Sequence, residues 1–150
     1  MAGVEGDYEA YRVAVDAWDK EGIRMDSAPL LRKDQLDVPI LLIIFNRPDL
    51  TQRVFNIIRR VRPFQLFVKA DGARAGHPAE AELCEKARKI ATVVDWKCDV
   101  RTSFNNENAG CRMTVSSGVS WFFDNVNVGI ILEDDCLPSE SFLKPFEPPL

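Results

Sequence analysis

An α/β fold with a mostly parallel, doubly wound sheet and helices on both faces is what this chain predicts, on three observations. Apolar runs of strand length alternate with segments of helical periodicity from Val38 to about Asp135. The first run, Pro39-Ile40-Leu41-Leu42-Ile43-Ile44-Phe45, is continuously apolar, as befits a parallel strand covered on both faces. Each strand-like run then ends in a polar cluster, so the loops and helix N-termini gather beyond the carboxyl ends of the strands, where such sheets bind ligands.

The elements follow in order. Residues 1–37 are mixed and charged, with an amphipathic helix expected through Tyr8, Tyr11, Val15 and Trp18 that stops near Gly22, a helical leader ahead of the domain at 38–142. Asn46-Arg47-Pro48-Asp49 breaks the first strand. Asp49 is placed to cap a helix running to about Arg62, with Leu50, Val54, Ile57, Ile58 and Val61 at helical spacing and Pro63 as its stop. Gln65 to Ala70 reads as a second strand closed by Asp71-Gly72, and His77 to Ala91 as a helix with Leu83, Ala87, Ile90 and Ala91 buried. Asp99 to Phe104 is a weaker third strand. A polar loop, Asn105 to Gly110, leads into a helix from about Cys111 to Phe123, whose Trp121, Phe122 and Phe123 read as core or interface packing. The fourth strand, Gly129-Ile130-Ile131-Leu132, ends in Glu133-Asp134-Asp135, and residues 143–150 form a proline-rich tail. Right-handed crossovers join these strands.

Composition removes several function classes. A net charge of −4 leaves no broad basic surface for nucleic acid, and the one basic cluster, Arg59-Arg60-Val61-Arg62, falls at a helix end where cations are favoured. No signal-peptide pattern and no apolar run of membrane-spanning length is present, so no transmembrane segment and a cytoplasmic location are expected. Cys84, Cys98, Cys111 and Cys136 lack C-x-x-C spacing and read as free thiols. With His77 as the only histidine, at a surface or N-cap position, histidine triads and multi-histidine metal sites are unattractive. Neither a P-loop nor a G-x-G-x-x-G follows the first strand, and Asn46-Arg47-Pro48 replaces both the aspartate pair of haloacid-dehalogenase-type phosphatases and the Gly-rich loop of sugar-phosphate nucleotidyltransferases.

Three consecutive carboxylates at a strand end repel one another unless a cation or hydrogen-bond donors compensate, which points to a metal and polyol site. Four further features accompany the triplet: the turn Phe45-Asn46-Arg47-Pro48, Asp71 at the end of the second strand, the run Glu107-Asn108-Ala109-Gly110, and Gly118 beyond it. Together they resemble the nucleotide-sugar half of GT-A glycosyltransferases, over residues 38 to about 142. The turn is similar to the one where main chain and an arginine approach the nucleotide. Asp71 stands where these enzymes often place an acid against the uracil ring. Glu107 to Gly110 with Gly118 matches the E-N-x-G…G spacing of family 2 members, and Glu133-Asp134-Asp135 is similar to the E-D-D motif of N-acetylglucosaminyltransferase I.

The resemblance implies a Rossmann-like sheet that binds a UDP- or GDP-linked sugar through Mn²⁺ or Mg²⁺, for transfer to a carbohydrate or glycoconjugate acceptor. Asp135 is then the metal ligand, and Asp134 and Glu133 bond ribose and sugar hydroxyls. Phe45, Asn46, Arg47, Asp71 and Gly110 surround the nucleotide. Val115 and Ser116 depart from the arginine and asparagine of many family 2 members, so Arg74 or Arg112 is expected to supply the missing positive charge. No residue is nominated as catalytic base, because the acceptor half that follows the metal strand in these enzymes is expected to be missing, which leaves turnover by this chain open. A sheet cut there exposes an edge through which copies could self-associate. The alternative is a non-catalytic α/β interaction module that dimerises or docks a partner.

Overall fold

The apolar run at the start of the domain becomes β1 (Ile40–Ile44), buried at every residue. It belongs to a computed structural model that describes residues 35–143. Three more strands join it in parallel: β2 (Gln65–Ala70), β3 (Asp99–Phe104) and β4 (Ile130–Glu133), in the order β3-β2-β1-β4. The connecting helices are α1 (Pro48–Val61), α2 (Pro78–Thr92) and α3 (Cys111–Asn125), with a single turn, α4 (Glu140–Leu143), after β4.

Alternation along β1 divides the core into two layers. Ile40, Leu42 and Ile44 face α1 and α2, where they meet Val54, Phe55, Ile58, Ala87 and Ala91. Leu41 and Ile43 face the other way, onto α3, with Phe67 and Phe122. Phe67 is held edge-on by both Trp121 and Phe122, at centroid distances of 5.2 and 5.0 Å. Burying side chains of this size stabilises the fold by roughly 1.5–3 kcal/mol each. With helices on both faces of a parallel sheet, the fold is α/β and Rossmann-like, as expected. β3 is the weak strand anticipated: it lies at the sheet margin and has no fully buried residue.

Several local expectations are corrected. Helix α1 begins at Pro48, with Arg47 in the N-cap position and no side-chain cap, so Asp49 lies inside the first turn as a favourable charge and not as the cap. Its end is as read: Arg62 takes a left-handed conformation (φ 50°), its amide bonds Ile58 O at 2.9 Å, and Pro63 follows. His77 occupies the N-cap position of α2 without a side-chain cap bond. Leu83 is exposed, because the buried stripe of α2 runs through Glu80, Cys84, Ala87 and Ala91, one residue away from it. Of the aromatic trio in α3, Phe122 is buried and Phe123 exposed.

The core also reaches past the expected domain limits. Leu36 is buried against α1, its amide bonded to Val61 O at 2.8 Å, and Leu143 is buried at the other end. The leader helix and residues 144–150 of the proline-rich tail lie outside the described residues. All four cysteines are free thiols, and only Cys84 is fully buried. No helix among the described residues is long and apolar enough to cross a membrane.

Candidate functional site

Strand order fixes where a site can form. The chain steps outward from β1 to β2 to β3, then returns through α3 on the opposite face to place β4 on the far side of β1. The loop leaving β1 leads to α1 on one face and the loop leaving β3 leads to α3 on the other, and a crevice opens beyond the carboxyl ends of β1 and β4 beside the start of α3. A cavity of about 300 Å³ occupies that crevice, lined by Phe45, Arg47, Asp71, Arg74, Gly110, Glu133 and Asp134 among others. Its size is at the lower end for small-molecule sites. The β1–β4 ladder carries the acids to it: Ile43 pairs with Glu133, and Asp134 N donates to Ile43 O at 3.1 Å.

Asp134 is only 4 % exposed, and Arg47 Nη2 donates to its Oδ1 at 2.7 Å. Its Oδ2 is buried with no hydrogen-bond partner. Burial pushes the Asp134 carboxyl above the usual range; the Arg47 guanidinium opposes the rise most, Asp135 adds to it, and the Phe45 amide opposes it weakly. Asp135, 46 % exposed, lies 3.7 Å from the same guanidinium. An arginine from the β1 turn and two acids from the end of β4 thus meet across 87 residues of sequence.

A second buried acid builds the opposite wall. Asp71 accepts from the amides of Gly72 (2.8 Å), Ala109 (2.8 Å) and Gly110 (3.0 Å) and from the side chains of Asn105 (3.1 Å) and Asn108 (3.0 Å). Burial alone would raise its pKa, but these bonds outweigh it and hold the carboxyl below the ordinary range. Behind Asp71, the ammonium of Lys69, a residue 5 % exposed, donates to Ser103 Oγ and Asn105 Oδ1, both at 3.0 Å. Desolvation lowers the Lys69 pKa, and Asp71 partly restores it. Gly118 makes the room: a Cβ there would stand 2.8 Å from Lys69 Cγ. The polar loop before α3 is therefore fastened to β2 by an acid, an amide and a buried lysine.

Glu80, at the third position of α2, fastens the remaining rim. It accepts from Asn46 Nδ2 at 2.9 Å, from the Arg74 amide at 2.8 Å, and from Arg74 Nη2 at 2.7 Å. The Arg74 side chain and backbone bonds are the main reason its pKa falls to about 2 from an ordinary 4.5. A lowered carboxyl pKa gives stability that is present above the unfolded value and lost as pH falls through the folded one. Glu80→Gln should accordingly flatten the fall in urea midpoint between pH 4.5 and about 2. Identical acid limbs in the two proteins would remove Glu80 from this role.

Of the site residues expected from sequence, Phe45, Arg47, Asp71, Arg74, Gly110, Glu133 and Asp134 come together around one cavity. Asn46 stands behind the rim on Glu80, Asp135 reaches the site through Arg47, and Arg112 is exposed away from the cavity lining. Asp71 lines the cavity with both oxygens already engaged by the chain. Sequence reading missed Glu80, Lys69 and Thr114, the last a buried residue of α3 that lines the cavity and whose Oγ1 accepts from Asn105 Nδ2 at 3.3 Å. Glu80 carried one signal, an acid three residues after a helix-initiating His-Pro, the position of a capping-box glutamate.

Among the described residues, no three His, Cys, Asp or Glu side chains are grouped to hold a metal. No model of a known protein family matches the chain, and no curated protein matches it.

Proposed function

We propose that the cavity binds the diphosphate part of a UDP- or GDP-linked sugar together with a divalent cation, in a glycosyltransferase that passes the sugar to a carbohydrate or glycoconjugate acceptor. The observation that carries this reading is the buried, half-satisfied Asp134, paired with Arg47 and adjoining Asp135 at the switch point of the sheet. A site offering both carboxylates and guanidinium groups suits a ligand that brings hydroxyls, phosphates and a cation at once.

The donor set fits Mn²⁺ or Mg²⁺. Asp135, with Asp134 beside it, offers hard oxygens, and such ions commonly use one or two carboxylates and complete their shell from phosphate oxygens and water. When bound, the cation neutralises charge developing on the departing diphosphate. Arg47 and Arg74 lie where they can meet phosphate oxygens, Glu80 holding Arg74 in place. Asp71 contributes through the loop it fastens, keeping Gly110 and the start of α3 against the ligand.

Calorimetric titration with UDP- and GDP-sugars, with and without Mn²⁺, tests the reading. Binding is expected with the metal, weakened at least roughly tenfold by Asp135→Ala. Failure to bind in Mn²⁺, or binding indifferent to that substitution, would leave the non-catalytic interaction module as the better account.

A further inference from the structure

The cation that stands at Asp134 and Asp135 in this structure is the chain's own. Arg47 Nη2 lies 2.7 Å from Asp134 Oδ1 and 3.7 Å from Asp135 Oδ2. Asp134, 4 % exposed and with one oxygen unpartnered, depends on a nearby positive charge, since an uncompensated buried carboxylate is costly. Arg47 is not fixed in the same way. Its side chain is 48 % exposed and makes no cap bond to α1, while its backbone is held independently, Thr51 N and Oγ1 both donating to Arg47 O at 2.9 Å. The guanidinium can therefore leave the acids without disturbing the helix.

We propose that Arg47 is an exchangeable internal counter-ion that makes cation binding at Asp134 and Asp135 conditional on a diphosphate. This rests on the donor-binding reading and adds an order to it. While Arg47 remains on the acids, an arriving divalent cation meets two carboxylates that attract it and a guanidinium a few ångströms away that repels it. A diphosphate in the cavity offers Arg47 a bidentate partner, and the vacated acids then accept the metal. The chain thereby avoids holding a bare cation when no donor is present, and keeps Asp134 compensated in both states.

Removing Arg47 should move two affinities in opposite directions, a signature that a purely structural ion pair does not give. Mn²⁺ binding is read from the electron-paramagnetic-resonance signal of the free aquo ion, and UDP binding by calorimetry in saturating Mn²⁺. Arg47→Gln should bind Mn²⁺ alone about tenfold more tightly than the native protein. It should also bind UDP more weakly. In the native protein UDP should strengthen Mn²⁺ binding, and Mn²⁺ should strengthen UDP binding by the same factor; that coupling should shrink in the variant. Arg47→Ala is the companion variant, and circular dichroism checks the fold of each. Native UDP binding with no gain in Mn²⁺ affinity in either folded variant would overturn the exchange and leave the donor reading standing. Absence of UDP binding in the native protein would overturn both.

Discussion

Asp71→Ala should lower the stability of the domain by about 3 kcal/mol or more in urea unfolding, well before any ligand is considered. The carboxylate is the shared acceptor for three backbone amides and two side-chain amides. The Gly72 bond is buried, and an unpaired buried donor costs roughly 1–3 kcal/mol, more when the lost acceptor was charged. Without Asp71, Lys69 also loses the charge that offsets its burial. Gly72 gives the second half of the argument, because a Cβ there would meet the Glu107 backbone: the two loops touch main chain to main chain, and apart from the Asp71 carboxylate they are joined by Asn108 Nδ2 on Gly72 O at 2.9 Å and by Arg88 Nη2 on Asp71 O and Asn105 O at 3.1 and 2.9 Å. Asp71→Asn should fall between, since it keeps one acceptor oxygen and turns the other into a donor facing donors. Hydrogen bonding holds the folded carboxyl below its ordinary range, so this stability is present at neutral pH and lost as pH drops below that range; the Asp71→Ala acid limb should be flatter. Were Asp71 only a contact for a nucleotide base, the substitution would weaken binding and leave the urea midpoint where it was.

That contrast marks where the sequence could be read and where it could not. The run Ile40 to Ile44 announced a strand covered on both faces, because a parallel strand buried twice has no polar positions to spare. Pro63 and the turn at Arg47-Pro48 set the ends of α1 through backbone geometry that is local and independent of the fold. Leu83 was misjudged for the opposite reason: helical spacing tolerates a shift of one residue, and the neighbouring Cys84 won the buried stripe through packing that no short window contains. Asp71 could be seen to end β2, yet its partners come from residues 105–110 and exist only after β3 has paired with β2. Lys69 gave no warning, since a lysine in a strand ordinarily extends to water. Its burial became intelligible only beside Gly118, which comes from α3 packed over that face of β2. Likewise the acids of β4 were legible as a charged strand end, while their pairing with Arg47 required the β1–β4 register.

The same register makes Gly129→Ala a test of how β4 is delivered to the site. Gly129 immediately precedes the strand, and a Cβ on it would collide with the ring of Phe122 and approach Pro39 O to 3.1 Å. Pro39 O is also the acceptor for Ile130 N at 2.9 Å, the first rung that ties β4 to the chain entering β1. Phe122 cannot yield cheaply, being fully buried and packed edge-on against Phe67 at a centroid distance of 5.0 Å. The added methyl must therefore lift the start of β4 or displace the ring, at a cost of about 1–3 kcal/mol. Phe122→Ala alone should cost about 3–5 kcal/mol by emptying that layer of the core. In the double variant the collision is gone, so the combined loss should be smaller than the sum of the two by about 1 kcal/mol or more, measured as a double-mutant cycle in urea. Simple additivity would mean that the ring does not set the seat of β4. With coupling, the reach of Asp134 to Arg47 at one end of the strand depends on a residue without a side chain at the other.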